Sequence, residues 1–327
     1  MRSLLFIPLL LAVSLLCGCE APLDVSAVEM SKEDPVRRTD FFQDVQVSGD
    51  AVVVVGRGGV LLHSGDGGRQ WQRQRLEGFP SFIDVTACPD GTFVALDTMA
   101  GVWIGTNGGA NWERRQIDTE ETMQAVGCGP DNRLWAVGSF TTIASSDDLG
   151  RNWQVRSLDE DAILNGIQIF DADNLLIVGE FGTLLRSSDG GQSWNRDAEI
   201  PGHFYPQDLY FSDREHGWVV GLAGSVLRTE DGGRSWKQER TGTRATLYGI
   251  HPVGSELYVV GREGVILRRE GEQWTPVDYG GKVRLYIVGL YPADEHEFFV
   301  VGQNGYLARI LPRSNSVAVI GGDFRGG

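Results

Sequence analysis

Residues 178–194 read VGEFGTLLRSSDGGQSW, and this stretch decides the fold. Val178 and Gly179 end one short apolar strand, Gly182 permits a tight turn, and Thr183–Arg186 starts the next strand. Ser187 to Trp194 then forms a second turn: Asp189 can bond its own backbone, Gly190 and Gly191 supply positive φ, and Trp194 offers a large ring for packing between sheets.

Working outward, the first half recurs as VGRGGVLLH from Val55, VGSFTTIAS from Val137, VGLAGSVLR from Val220, VGREGVILR from Val260 and VGQNGYLAR from Val301, with LDTMAGVWIG from Leu96 as a weaker copy. The second half recurs as SGDGGRQW, GTNGGANW, SDDLGRNW and TEDGGRSW, with REGEQW as a decayed form. The closing tryptophans are Trp71, Trp112, Trp153, Trp194, Trp236 and Trp274, a period of about 41 residues. A repeat of that length holds four strands, one propeller blade. Strand signals fill each repeat, so the expected fold is all-β: a single seven-bladed β-propeller with four-stranded blades, occupying residues 39–327. The seventh copy lacks the tryptophan turn. Its outer strand is expected at Ser316–Ile320, with the region near Val25 to Val28 as the alternative.

Residues 1–18 read as a signal peptide, because Arg2 precedes an apolar run too short for a stable membrane span. Leu16, Cys17, Gly18 and Cys19 have the order of a bacterial lipoprotein cleavage site, so Cys19 is the expected lipidated residue; the alternative is an ordinary signal peptide cleaved nearby without lipid. Residues 19–38 are then a polar tether. The expected location is the periplasmic side of the inner or outer membrane; Glu20, rather than aspartate beside Cys19, gives the outer membrane a slight preference. With 29 Lys and Arg against 44 Asp and Glu, the net charge of −15 disfavours nucleic acid as a partner. Beyond the signal only Cys88 and Cys128 remain, in matching places of neighbouring repeats; they either form a disulfide or stay as two small apolar thiols.

The acidic turn residues Asp66, Asp148, Asp189 and Asp231 recur blade after blade, whereas a catalytic group is needed once, so they read as turn braces and the tryptophans as packing. The glycine turns share a face with the loops that lead from one blade to the next. That face gathers Arg57, Arg75, Arg114, Arg115, Arg156, Arg196, Arg240, Arg244, Arg262, Lys282 and Arg284, with Glu180 in one glycine turn and His203, Phe204 and Tyr205 in the longest loop. These residues are the candidate partner-binding set. The alternative is that the arginines lie over the tryptophan strands and are simply solvated. The five histidines have no metal-ligand spacing, and no cofactor or metal is expected.

Tandem SxDxGxxW turns resemble the Asp-box, or BNR repeat. Combined with the preceding VGxxGxLLRS-like segments, residues from Phe41 to Leu311 resemble the photosystem II assembly and stability factor-like family of seven-bladed propellers. The resemblance implies a non-enzymatic assembly factor that holds a membrane-protein partner. Only Arg57 and Arg262 begin a glycine turn with a basic residue, and the surface is acidic, so the photosystem partner is not carried over. The expected role is a monomeric protein-binding scaffold for a membrane complex or exporter. The alternative is a carbohydrate-binding or sialidase-like propeller, against which stands the lack of an N-terminal FRIP-like signature and of inserted loops.

Overall fold

The computed structural model describes residues 33–279, 284–312 and 316–321. Pro35–Gly327 forms one compact unit; the other unit, Met1–Asp34, lies almost wholly outside the described residues, as do Cys19, most of the expected tether, Val25 to Val28 and Lys282.

Seven four-stranded antiparallel sheets follow one another along the chain, covering residues 42–75, 82–116, 123–156, 164–199, 206–239, 247–276 and 287–321, which we number as blades 1 to 7. Within each blade the strands pair in sequence order. The first strands face one another around a ring, and blade 7 meets blade 1 through Ile287–Pro292 and Phe42–Ser48. Blade 7 takes its outer strand, Ser316–Gly321, from the C-terminal side, where it pairs with Leu307–Leu311.

The burial of each strand follows from its place in the blade. Second strands such as Ala51–Gly56, Leu134–Gly138 and Leu175–Gly179 are covered on both faces and are nearly continuous apolar runs. Fourth strands such as Gln72–Arg75 and Gln154–Arg156 are polar and largely exposed. The core is divided into seven apolar clusters, each lying across one junction between neighbouring blades. Val53 and Val55 of blade 1 pack with Phe82 and Phe93 of blade 2, for example, and Phe299 of blade 7 packs with Val45 of blade 1. Burial of one such side chain contributes about 1.5–3 kcal/mol, so the junctions hold the ring together.

The glycine turns add a backbone link at these junctions. Gly59 N donates to Pro80 O, Thr141 N to Ala162 O, Gly182 N to Phe204 O and Gly264 N to Leu285 O. At ring closure the same bond runs from Gly305 N to Asp40 O at 2.7 Å. The last junction is thus built like the others, although its two sides come from opposite ends of the chain.

Candidate functional site

The two faces of the ring use their turns differently. In the Asp-boxes of blades 1, 3, 4 and 5 the hydroxyl of Ser64, Ser146, Ser187 or Thr229 donates to the aspartate and accepts the N–H of the second glycine position, Gly68, Gly150, Gly191 or Gly233. The same carboxylates accept backbone N–H groups: Asp66 from Arg69 and Gln70, Asp148 from Asn152, Asp189 from Ser193 and Asp231 from Ser235. Bonds from Asn152, Ser193 and Ser235 hold Asp148, Asp189 and Asp231 at a pKa of about 2. Trp71, Trp112 and Trp153 each donate their ring N–H to a carbonyl within the same turn.

These turns also stitch blade to blade. Gly191 has φ +78, and a Cβ there would lie 2.1 Å from the Trp135 ring of the preceding blade, so glycine is needed for both conformation and close approach. Trp135 and Trp194 meet edge to face, with centroids 6.0 Å apart, as do Trp71 and Phe299. Blade 6 lacks the aspartate, and its Trp274 ring N–H instead donates to buried Glu239 of blade 5, which also pairs with Arg269.

Arg115 and Arg156 belong to this stitching. Arg156 Nη1 donates to Gly191 O and Gln192 O, at 3.3 and 2.8 Å, and Arg115 Nη1 donates to Leu149 O. Placing them on the glycine-turn face is therefore corrected. They lie on outer strands, and their long side chains run to the next blade's Asp-box. Arg133, Arg186 and Arg309 bind Asp-box carbonyls in the same way.

The remaining candidates do not form one cluster. Arg57 lies over Phe41 and Arg262 over Tyr286, with distances of 4.3 and 5.3 Å from guanidinium carbon to ring centre. Arg75 covers Phe79. Arg114 bonds Gln116, whose amide reaches Met99 O. Glu180 is fully engaged, accepting from Ile163 N and from the Tyr205 hydroxyl. Arg196 pairs with Glu160 at 2.6 Å, His203 is exposed, and Phe204 packs into the junction of blades 4 and 5. Arg244 and Arg284 are exposed.

What the glycine-turn face displays most openly is apolar. Of the eight exposed large hydrophobic residues among the described residues, six lie in its turns and loops: Phe79, Met99, Phe140, Leu158, Phe181 and Leu222. Phe140 and Phe181 occupy the middle of their turns at φ +49 and +57, a backbone region that glycine or asparagine would ordinarily fill. Sequence reasoning missed these residues. The available signal was a phenylalanine where the blade 1 and blade 7 repeats carry Gly58 and Asn304.

The residues that line the central channel, about 580 Å³, were also missed. Each inner strand carries a bulge, which puts two successive residues into the lining: Gln43 with Asp44, Ile83 with Asp84 and Gln207 with Asp208 among them. Asp44, Asp84 and Asp208 reach across to the next blade and accept from Val85 N, Val126 N and Ile250 N at 3.2, 2.7 and 2.9 Å. Burial raises the pKa of all three, Asp208 to about 7, and the facing Asp84 charge raises Asp44 further. The repeated sequence FQDV, FIDV and PQDL was the readable sign. Cys88 and Cys128, at the ends of inner strands in blades 2 and 3, are joined in a disulfide. No group of three or more His, Cys, Asp or Glu residues is arranged to hold a metal among the described residues.

No curated protein matches the chain. Among solved structures, "YCF48 bound to D1 peptide" has 16% identity and a TM-score of 0.69, covering 85% of this chain and 93% of that one. YCF48 from Cyanidioschyzon merolae has 16% identity, a TM-score of 0.68 and coverage of 84% and 96%. A streptogramin B lyase, at 10% identity, has a TM-score of 0.70 and coverage of 86% and 94%. At these identities each likeness concerns the fold alone. The family model for the photosynthesis system II assembly factor YCF48 matches residues 104–206 and 197–285, which together span more than half of the sequence, and the chain belongs to that family.

Proposed function

We propose that this chain is a non-enzymatic assembly or accessory factor that holds a partner protein on its glycine-turn face. The observation that carries the reading is the concentration of exposed large apolar side chains on that face, while the Asp-box turns spend their polar groups on one another and on the next blade. Membership of the YCF48 family supports it, as does the D1 peptide named with one solved relative. The partner we propose is a membrane complex or exporter, with the propeller tethered through lipid on Cys19 on the periplasmic side. A disulfide between Cys88 and Cys128 suits such an oxidising compartment.

The test is site-specific photocrosslinking in the protein's own cells. Crosslinkers at Ala223 and Asn304 in the glycine turns should yield adducts with one membrane protein, and crosslinkers at Arg69 and Arg234 in the Asp-boxes should not. Equal adducts from both faces, or none from either, would overturn the reading. Carbohydrate binding is a second reading, favoured by the channel amides Gln43, Gln124, Asn165 and Gln207 beside Tyr248. A glycan panel that raises the melting temperature would support it, and a flat panel would remove it.

A further inference from the structure

The apolar residues of the glycine-turn face are not spread evenly around the ring. Met99, Phe140, Phe181 and Leu222 sit in the turns of blades 2, 3, 4 and 5, Phe79 lies in the loop leading into blade 2, and Leu158 in the loop leading into blade 4. The turns of blades 6, 7 and 1 carry Arg262 and Glu263, Gln303 and Asn304, and Arg57 and Gly58. The arc therefore covers a little more than half of the ring. All three exposed phenylalanines among the described residues, Phe79, Phe140 and Phe181, stand at positive φ. Each position accepts backbone strain while leaving the residue half or more exposed; Phe79 carries Arg75 over its ring, but at Phe140 and Phe181 packing inside the protein does not reward the arrangement.

The arc is rimmed by carboxylates. The loop from Gln116 to Thr119 is bonded to the blade 2 turn through Met99 O and Ala100 O, and it presents Asp118 with Glu120 just beyond. The next loop is bonded to Phe140 O through the Ser157 hydroxyl and presents Asp159. Beside Phe181 a groove of about 460 Å³ is walled by Glu160, Asp161 and Glu199. Glu160 is matched by Arg196, and Arg75 over Phe79 and the exposed Arg114 and Arg244 border the same arc. Asp118, Glu120, Asp159, Asp161 and Glu199, none of them in an ion pair among the described residues, nevertheless leave the arc with an excess of negative charge. Apolar side chains among unmatched carboxylates complement a ligand that is apolar and cationic. An anionic bilayer surface would meet the same carboxylates with repulsion.

We propose that this arc docks a partner protein through a segment whose apolar side chains are flanked by lysine or arginine. The proposal rests on the reading of the glycine-turn face as the docking face, and specifies which part of it is used and by what chemistry. The segment's apolar side chains cover Met99, Phe140, Phe181 and Leu222, and its cations reach Asp118, Asp161 and Glu199.

The chain from Glu20 onward, which keeps the whole propeller unit but not the signal or the lipid site, is titrated against a fluorescein-labelled amphipathic helix of leucine and lysine, a leucine and glutamate counterpart, and phosphatidylglycerol vesicles. The lysine peptide should bind and the other two should not. The Phe140→Gly, Phe181→Gly double variant should weaken binding about tenfold or more. Because glycine suits both positions, its melting temperature should stay within about 3 °C of the parent. An Asp118→Asn, Asp161→Asn, Glu199→Gln variant should weaken binding at low salt and flatten its salt dependence. Gln303→Ala with Asn304→Gly, on the polar side, should change nothing. Equal binding of both peptides, an unaffected phenylalanine variant, or uptake by vesicles without peptide binding would overturn the proposal. If photocrosslinks from Ala223 and Asn304 persist in the phenylalanine variant, the docking face stands and only the arc is rejected.

Discussion

The Asp-box turns and the glycine turns lie on opposite faces of the same ring, and both are repeated, yet they repeat different things. In the Asp-boxes the side chains repeat: a hydroxyl and an aspartate make the same bonds around a glycine in four blades, and a tryptophan closes each turn. In the glycine turns only the backbone repeats, donating to the loop of the next blade in five of them while the displayed residue changes from Gly58 to Phe140, Phe181, Glu263 and Asn304. Side chains that recur are occupied with the fold. Side chains that vary on a constant backbone are free for something else, and here the variation sorts into an apolar arc and a polar remainder.

The largest effect that would break this contrast lies on the Asp-box side. Trp135 is 3% exposed, meets Trp194 edge to face, and fills the space against which Gly191 lies. Trp135→Ala should cost about 3–5 kcal/mol in a denaturant titration. A cost near zero would mean that the Asp-box does not depend on the preceding blade. Removal of the disulfide comes next. Cys88→Ala with Cys128→Ala opens a link across 40 residues of chain between blades 2 and 3, and should lower stability by about 2–4 kcal/mol. Peptide binding to the glycine-turn face should survive it, because the bridge lies at the other end of the inner strands.

The channel gives a smaller, pH-dependent effect. Asp208 has a folded-state pKa of about 7, above its unfolded value near 3.9, so the native state holds more protons between those limits. Its contribution to stability is therefore greatest at the acid end of that window and falls as the pH rises to about 7. Asp208→Asn keeps an acceptor for Ile250 N and removes the charge. It should be more stable than the parent at pH 8 by about 1–2 kcal/mol, allowing for water in the channel, and should flatten the slope between pH 4 and 7. Thermal melts across that range would read both; an unchanged slope would assign the pH dependence to Asp44 and Asp84.

Most of the fold was legible because repetition amplifies a weak local signal. One VGxxG turn is ambiguous, but seven such turns, six of them followed by a tryptophan from Trp71 to Trp274 at near-constant spacing, give blade number and strand order, while the outer strand of blade 7, which has no tryptophan, was left between two candidates. The docking face was only partly legible. Arg156 carries the same charge whether it faces a partner or the Gly191 carbonyl, and a side chain of that length on an outer strand can run toward either end of the blade. Charge counting therefore gathered residues that the geometry separates. Blade 6 shows the converse: its turn has lost the aspartate, yet Trp274 stays buried because Glu239, in the preceding blade, takes over the bond. No inspection of REGEQW alone reveals that.

The smallest expected effect is the most discriminating, because its interest is that it should be near zero. Phe181 is 52% exposed at φ +57, and Phe140 is 50% exposed at φ +49. Replacing either by glycine relieves about 1–2 kcal/mol of left-handed backbone strain. Against that stand about 0.5–1 kcal/mol from the greater freedom of glycine in the unfolded chain, and about 1 kcal/mol from the half of the ring that is buried. The opposing contributions nearly cancel, so each variant should lie within about 0.5 kcal/mol of the parent in a denaturant titration. Trp135→Ala, also an aromatic truncation beside a turn, should differ from that by several-fold. A loss of 2 kcal/mol or more at Phe181 would make it a packing residue, and the two faces would then differ in sequence but not in purpose. A change near zero, with the loss confined to binding, leaves display as the reason that a strained turn keeps a phenylalanine where glycine would fold as well.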